Sequence, residues 1–169
     1  SVLLDIGFAH VSRGRTMQAI PLVERALDLA TDYDLKPELR RACSVYAGMS
    51  TDVGIPARGV EYSLRAAIVA QELDFPLGVA AAFGNMTAAL YGMGLYRETI
   101  SVSLRVIKKY KGDPQFSVPV SIARSNMASA ALALQHFALS AEAAKDSCEA
   151  MGLPRDGQGI LNRVATEKT

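Results

Sequence analysis

Tryptophan is missing from the 169 residues, and cysteine and histidine occur only twice each. Cys43 and Cys148 are too few and too far apart in sequence for a disulfide framework or a zinc site, so both read as buried structural thiols. His10 and His136 stand alone, without any His-x3-His or Cys-x2-Cys spacing, and neither a metal nor another cofactor is expected. Neither sign of charge is in excess. The 18 Lys and Arg against 17 Asp and Glu leave a net +1, which excludes capture of nucleic acid or of an anionic membrane by bulk charge. Apolar runs stay short of the roughly 18 residues that span a bilayer. The opening Ser1-Val2-Leu3-Leu4-Asp5 carries no basic leader, so the expected location is cytoplasmic. Val, Ile and Thr are too sparse for extensive sheet, whereas 26 Ala and 18 Leu lean the chain towards an all-α fold. At 50% hydrophobic residues, it can bury a core without staples and is not disordered.

Punctuation recurs along the chain. Gly14, Gly54 and Gly94 stand forty residues apart, with Gln135 one residue beyond the next expected mark. Pro37, Pro76, Pro114 and Pro154 keep nearly the same beat, at intervals of 39, 38 and 40, each just before an apolar helical pattern where a first-turn proline is harmless. These marks divide the chain into units of about 1–36, 37–75, 76–114 and 115–153, with a partial fifth over 154–169. Each unit is expected to be a helical hairpin. Its second helix carries apolar residues at helical spacing, as in Ala19, Val23, Ala26, Leu27 and Ala30. The glycine supplies the left-handed residue that a tight turn between antiparallel helices requires. Small residues recur where helices would cross closely: Gly7, Ala47, Thr87 and Ala128 in the first helices, and Ala19, Gly59, Thr99 and Ser140 in the second. Pro21 falls a few residues into the second helix of the first unit, where it starts to remove a backbone bond.

This pattern resembles the tetratricopeptide repeat. The first unit carries the likeness as Leu3-x2-Ile6-Gly7-x2-His10-x3-Gly14-x4-Ala19-x3-Val23-x2-Ala26, and the third carries it from Asn85-Met86-Thr87 through Gly94 to Ile100. The units are longer than the family's usual 34 residues. In that length they look like the repeat regions of bacterial signalling proteins: peptide-pheromone receptors, large transcriptional activators and the N-terminal regions of some diguanylate cyclases. The resemblance implies an all-α, right-handed superhelix of hairpins, with the first helix of each unit lining a concave groove. Gly159–Ala165 continues the first-helix pattern, with Asn162 placed like Asn85 and Asn126, so the chain is expected to be a piece of a longer protein.

No constellation for chemistry emerges. The Gly-rich stretch from Gly152 to Gly159 matches neither a phosphate loop nor a dinucleotide fingerprint, and Lys108-Lys109-Tyr110-Lys111 reads as a solvated helix end whose cations complement the dipole. The chain is not expected to be an enzyme. Inward positions carried across from the family are Leu4, Phe8 and Val11; Arg41, Ser44, Gly48 and Thr51; Ala81, Gly84, Ala88 and Tyr91; and Ile122, Ser125, Ser129 and Leu132. This surface is apolar and small, with one cation, unlike the Lys, Arg and Asn clamp by which some members hold a C-terminal carboxylate. An apolar strip of several hundred Å² is larger than an idle monomer leaves uncovered. Phe8, Arg41, Asn85, Tyr91 and Asn126 are the candidate binding residues: an aromatic wall, a cation for a carboxylate, and amides able to pair with a peptide backbone or with their own surroundings. The expected function is a non-catalytic scaffold for a protein or peptide within a larger regulatory protein. The alternative is a ligand-sensing module that controls an output domain such as a diguanylate cyclase or a DNA-binding domain. A second copy of the chain could also fill the groove and form a homodimer.

Overall fold

Turns with a left-handed residue at a constant spacing set the architecture. The computed structural model describes residues 2–150, and of 137 and 147–150 the backbone alone. The partial repeat 154–169, with Pro154 and Asn162, lies outside the described residues, as does the Cys148 side chain. The helices are α1 (Val2–Val11), α2 (Thr16–Asp32), α3 (Lys36–Asp52), α4 (Pro56–Glu72), α5 (Pro76–Gly92), α6 (Tyr96–Tyr110), α7 (Ser117–Ala133) and α8 (Phe137–Ala150), with a 3-10 turn over Pro114–Phe116. The described residues contain no strand. From α2 to α6 the helices begin at Thr16, Lys36, Pro56, Pro76 and Tyr96, each twenty residues after the last. The forty-residue period of the sequence is therefore two equal halves.

The half-period comes from one repeated helix ending. Gly14, Gly54, Gly94 and Gln135 have positive φ as the spacing implied, and Asp34 and Asp74 take the same conformation at the alternate turns. At each, the residue after the left-handed one donates its N–H five positions back: Leu35 to Ala30, Ile55 to Ser50, Phe75 to Ala70 and Leu95 to Leu90, at 2.8–3.0 Å. This is the Schellman closure of a helix C-terminus. The same residue then opens the next helix, so Leu35, Ile55, Phe75 and Leu95 occupy the N-cap without any side-chain cap bond. An apolar residue stands where Ser or Asp is usual because it is already serving the previous helix end.

Of two prolines, one differs from expectation and one does not. Pro114 opens the 3-10 turn rather than α7, which starts at Ser117. Pro21 is the sixth residue of α2, which continues through it. Pro21 and Met17, whose carbonyl loses its helical donor, are both exposed, and water can take the bond.

Every helix packs on its neighbour in sequence. In addition α1 touches α3, α3 touches α5 and α5 touches α7, whereas among the described residues no two even-numbered helices come into comparable contact. The odd helices thus form one continuous layer. At the centre lies α5, without a charged residue and buried over most of its surface, as a helix apolar all round must be. The small residues sit at the crossings: Ala19, Thr87 and Thr99 are wholly buried, Ala47 and Gly59 are buried, and a methyl on Gly7 would come to 2.9 Å from Val23 Cγ2. Only Ser140 of the set is half-buried. The core falls into three clusters, the largest joining α1 to α5 through Leu4, Val23, Leu27, Tyr46 and Met49.

Candidate functional site

The odd-helix layer carries an open groove of about 460 Å³ between α1, α3 and α5. Its walls are Phe8 and Val11 from α1, Val45 and Met49 from α3, and Ala88 from α5, with Ser44, Gly48 and Thr51 along α3. A second recess of about 280 Å³ shares Phe8, Ser44 and Val45 and runs on to Asp5, Arg40 and Arg41. Six positions carried across as inward-facing, Phe8, Val11, Ser44, Gly48, Thr51 and Ala88, meet in the main groove. Two others do not face it: Leu4 is 1% exposed in the core, and Gly84 packs against Ile122.

Of the five candidate binding residues, Phe8 stands out, 62% exposed on the wall common to both recesses. Arg41 reaches the second recess, but its Nη2 donates to Asp5 Oδ1 at 3.0 Å. It is therefore not a free cation awaiting a carboxylate. Asn85 lines the groove, yet its Nδ2 donates to the Ser44 carbonyl at 3.2 Å. Asn126 Nδ2 donates to Thr87 Oγ1 at 2.8 Å. Each amide ties its own helix to the preceding odd helix, α5 to α3 and α7 to α5, which is neither a ladder for a peptide nor a bond within its own helix. Tyr91 sits at the end of α5 with its ring 5.5 Å from that of Tyr96, away from both recesses. Phe8, Arg41 and Asn85 are thus brought together, while Tyr91 and Asn126 are not.

Gly48 is the feature of the groove that composition alone does not reveal. It lies inside α3, it is exposed, and a Cβ built on it would meet nothing within 4 Å. Packing does not demand this glycine, and in a helix interior it costs about 0.5–1 kcal/mol relative to alanine. Its effect is to leave bare backbone on the groove floor.

The surroundings hold the groove in shape. Tyr46, buried in α3, accepts from Arg58 Nη1 and donates to Glu24 Oε1, both at 2.9 Å, so one phenol links α2, α3 and α4. Burial pushes its pKa up. Arg40 lies over the Phe75 ring at 4.9 Å, with its pKa lowered by burial and by the adjacent Arg41. Burial also raises the Cys43 thiol to about 11, which leaves it a poor nucleophile at neutral pH.

No group of three or more His, Cys, Asp or Glu able to hold a metal occurs among the described residues, and none of their helices is long and apolar enough to cross a membrane. No family model, curated protein or solved structure matches this chain.

Proposed function

We propose that this chain is a non-catalytic docking array of the tetratricopeptide type, its hairpins wound into a right-handed superhelix with the odd helices inside. In this reading the α1–α3–α5 groove receives an apolar segment of a protein or peptide. The observation that carries it is the pairing of an exposed aromatic, Phe8, with the unpacked Gly48 on one groove. Large apolar side chains beside bare helix backbone are what a partner helix or peptide needs for close approach. Arg41 and Asn85 are already paired within the chain, whereas the buried Ser44 and Thr51 hydroxyls that line the groove have no partner, so the groove offers shape, apolar surface and hydroxyls more than a free cation.

Peptides selected from a random display library on the wild-type protein provide the test. Gly48→Leu sets a side chain on the groove floor at a position where its Cβ meets nothing within 4 Å, and Phe8→Glu removes the aromatic wall. Both are expected to weaken the selected peptides at least tenfold, while Leu64→Glu, on the exposed side of α4, leaves them unchanged. If Gly48→Leu binds them as tightly as wild type, the groove is not where they dock. Conversion of a dimer to a monomer by Phe8→Glu in ultracentrifugation, without any effect on peptides, would assign the groove to self-association instead.

A further inference from the structure

The groove along α3 is apolar in its middle and charged at its two ends. Arg40, Ser44, Gly48 and Thr51 fall on one stripe of α3, at helical spacing. Arg40 lines the recess that continues the groove past Phe8, and Asp52 lines the main groove at the other end of the helix. At a rise of 1.5 Å per residue the two charges stand about 18 Å apart along the helix axis. Between them the floor is the bare backbone of Gly48.

Neither charge enters an ion pair among the described residues. The neighbouring Arg41 donates to Asp5, the acid on the recess wall, at 3.0 Å, which leaves Arg40 as the cation without a counter-charge. The Arg40 guanidinium lies over the Phe75 ring at 4.9 Å, a contact that fixes the cation but gives its N–H donors no acceptor. Burial and the adjacent Arg41 both lower its pKa, and no carboxylate acts in the opposite direction, so an anion brought to it would relieve both effects. At the far end, Asp52 is exposed in the last turn of α3, where an acid opposes the helix dipole. Stability of α3 therefore does not account for that carboxylate.

We infer that the groove receives an amphipathic helix of a partner protein, laid along α3, with an acidic side chain that meets Arg40, a basic one that meets Asp52, and apolar residues over Gly48. The inference rests on the docking function proposed above and adds the charge pattern of the partner. Opposite charges at the two ends of an apolar groove fix the register and direction of what lies in it more than they raise its affinity. A helix spans the distance in two to three turns, and the bare floor lets its backbone come close.

The probes are the display-selected peptides that Gly48→Leu weakens, synthesised with both termini blocked and titrated onto the full chain by fluorescence anisotropy. They are expected to carry an acidic and a basic residue roughly 8–11 positions apart. Arg40→Gln is expected to weaken them at least threefold, and to have no effect on peptides whose acidic residue is replaced by Gln. Asp52→Asn is expected to do the same towards the basic residue. A merely structural role of Arg40 beside Phe75 would weaken both forms of the peptide alike. Should Arg40→Gln fail to fold, Asp52→Asn, at an exposed helix end, decides the matter by itself. Groove-binding peptides that lack the two charges, that need a free C-terminus, or that are indifferent to both substitutions overturn the inference and leave the docking function standing. If no peptide is selected, or Gly48→Leu weakens none of them, both fall.

Discussion

Gly7, Gly59 and Gly48 all sit inside helices, and a methyl group added at each would meet different surroundings. At Gly59 it would come to 2.9 Å from Ala89 Cβ and 3.1 Å from the Ala47 carbonyl, a backbone atom that cannot swing aside. Gly59→Ala is expected to destabilise by about 1–3 kcal/mol. Gly48→Ala, with open space around it, is expected to stabilise by about 0.5–1 kcal/mol through helix propensity. Urea denaturation of the two variants checks both signs, and a destabilised Gly48→Ala would mean that α3 is packed at that point. Cys43 adds a pH dependence. Its thiol is raised from 9.0 to about 11 by burial, so between those values the unfolded chain releases a proton that the folded chain retains. Stability is then fully present below pH 9 and falls as pH rises towards 11. Cys43→Ala is expected to flatten that part of the curve, and an unaltered slope in urea melts would show that the thiol does not contribute.

Apart from the α6–α7 joint, the joints between helices are built by backbone rather than by side-chain caps, which makes the left-handed residue the sensitive position of the element. Asp34 and Asp74 hold φ of 49° and 48°, a conformation that costs a residue with a side chain roughly 1 kcal/mol or more over glycine. Asp34→Gly and Asp74→Gly are expected to raise the melting temperature, and Gly54→Ala and Gly94→Ala to lower it, although nothing crowds either glycine. A thermal melt in which Gly54→Ala is neutral would contradict the account of the turn. The beat of Gly14, Gly54 and Gly94 made the alternate turns legible in advance. The polar and proline segments Tyr33–Pro37 and Leu73–Pro76 place Asp34 and Asp74 at the ends of the second helices, but only the Schellman bond pattern singles out the aspartate as the left-handed residue.

Contacts in the molecule run between neighbours, and the core is three clusters in succession rather than one. In such arrays stability is close to a sum of unit and interface contributions. Among the described residues the last cluster, around Met127, Ala128 and Ala143, is the smallest, and α8 packs chiefly on α7. Native-state hydrogen exchange is expected to show α8 opening well before α3 to α5, whose residues fill the largest cluster. Uniform protection across the helices would show a single cooperative unit instead. The amides of Asn85 and Asn126 belong to this scale, since each ties one odd helix to the previous one.

Much of this was written in the local sequence. The all-helical character, the hairpin turns and the small residues at the crossings follow from constraints that act within a few residues: positive φ, helical spacing and side-chain volume. Those constraints are met whatever the neighbouring helix carries. What lies opposite each face was decided by packing. Periodicity placed Asn85 and Asn126 near the odd-helix face, but only the distance to Ser44 and Thr87 turned their N–H groups towards the previous helix. Register placed Gly59 at a helix crossing and Gly48 on the inward face, but only the approach of α5 to α4 shows how tightly the first is enclosed while the second stays open. Nothing in the sequence pattern sets Arg124 apart from the other arginines. It became a buried one because α6 stops short and the chain turns in beneath it at Pro114, and helix-to-helix distance, unlike φ or spacing, is a property of the whole array.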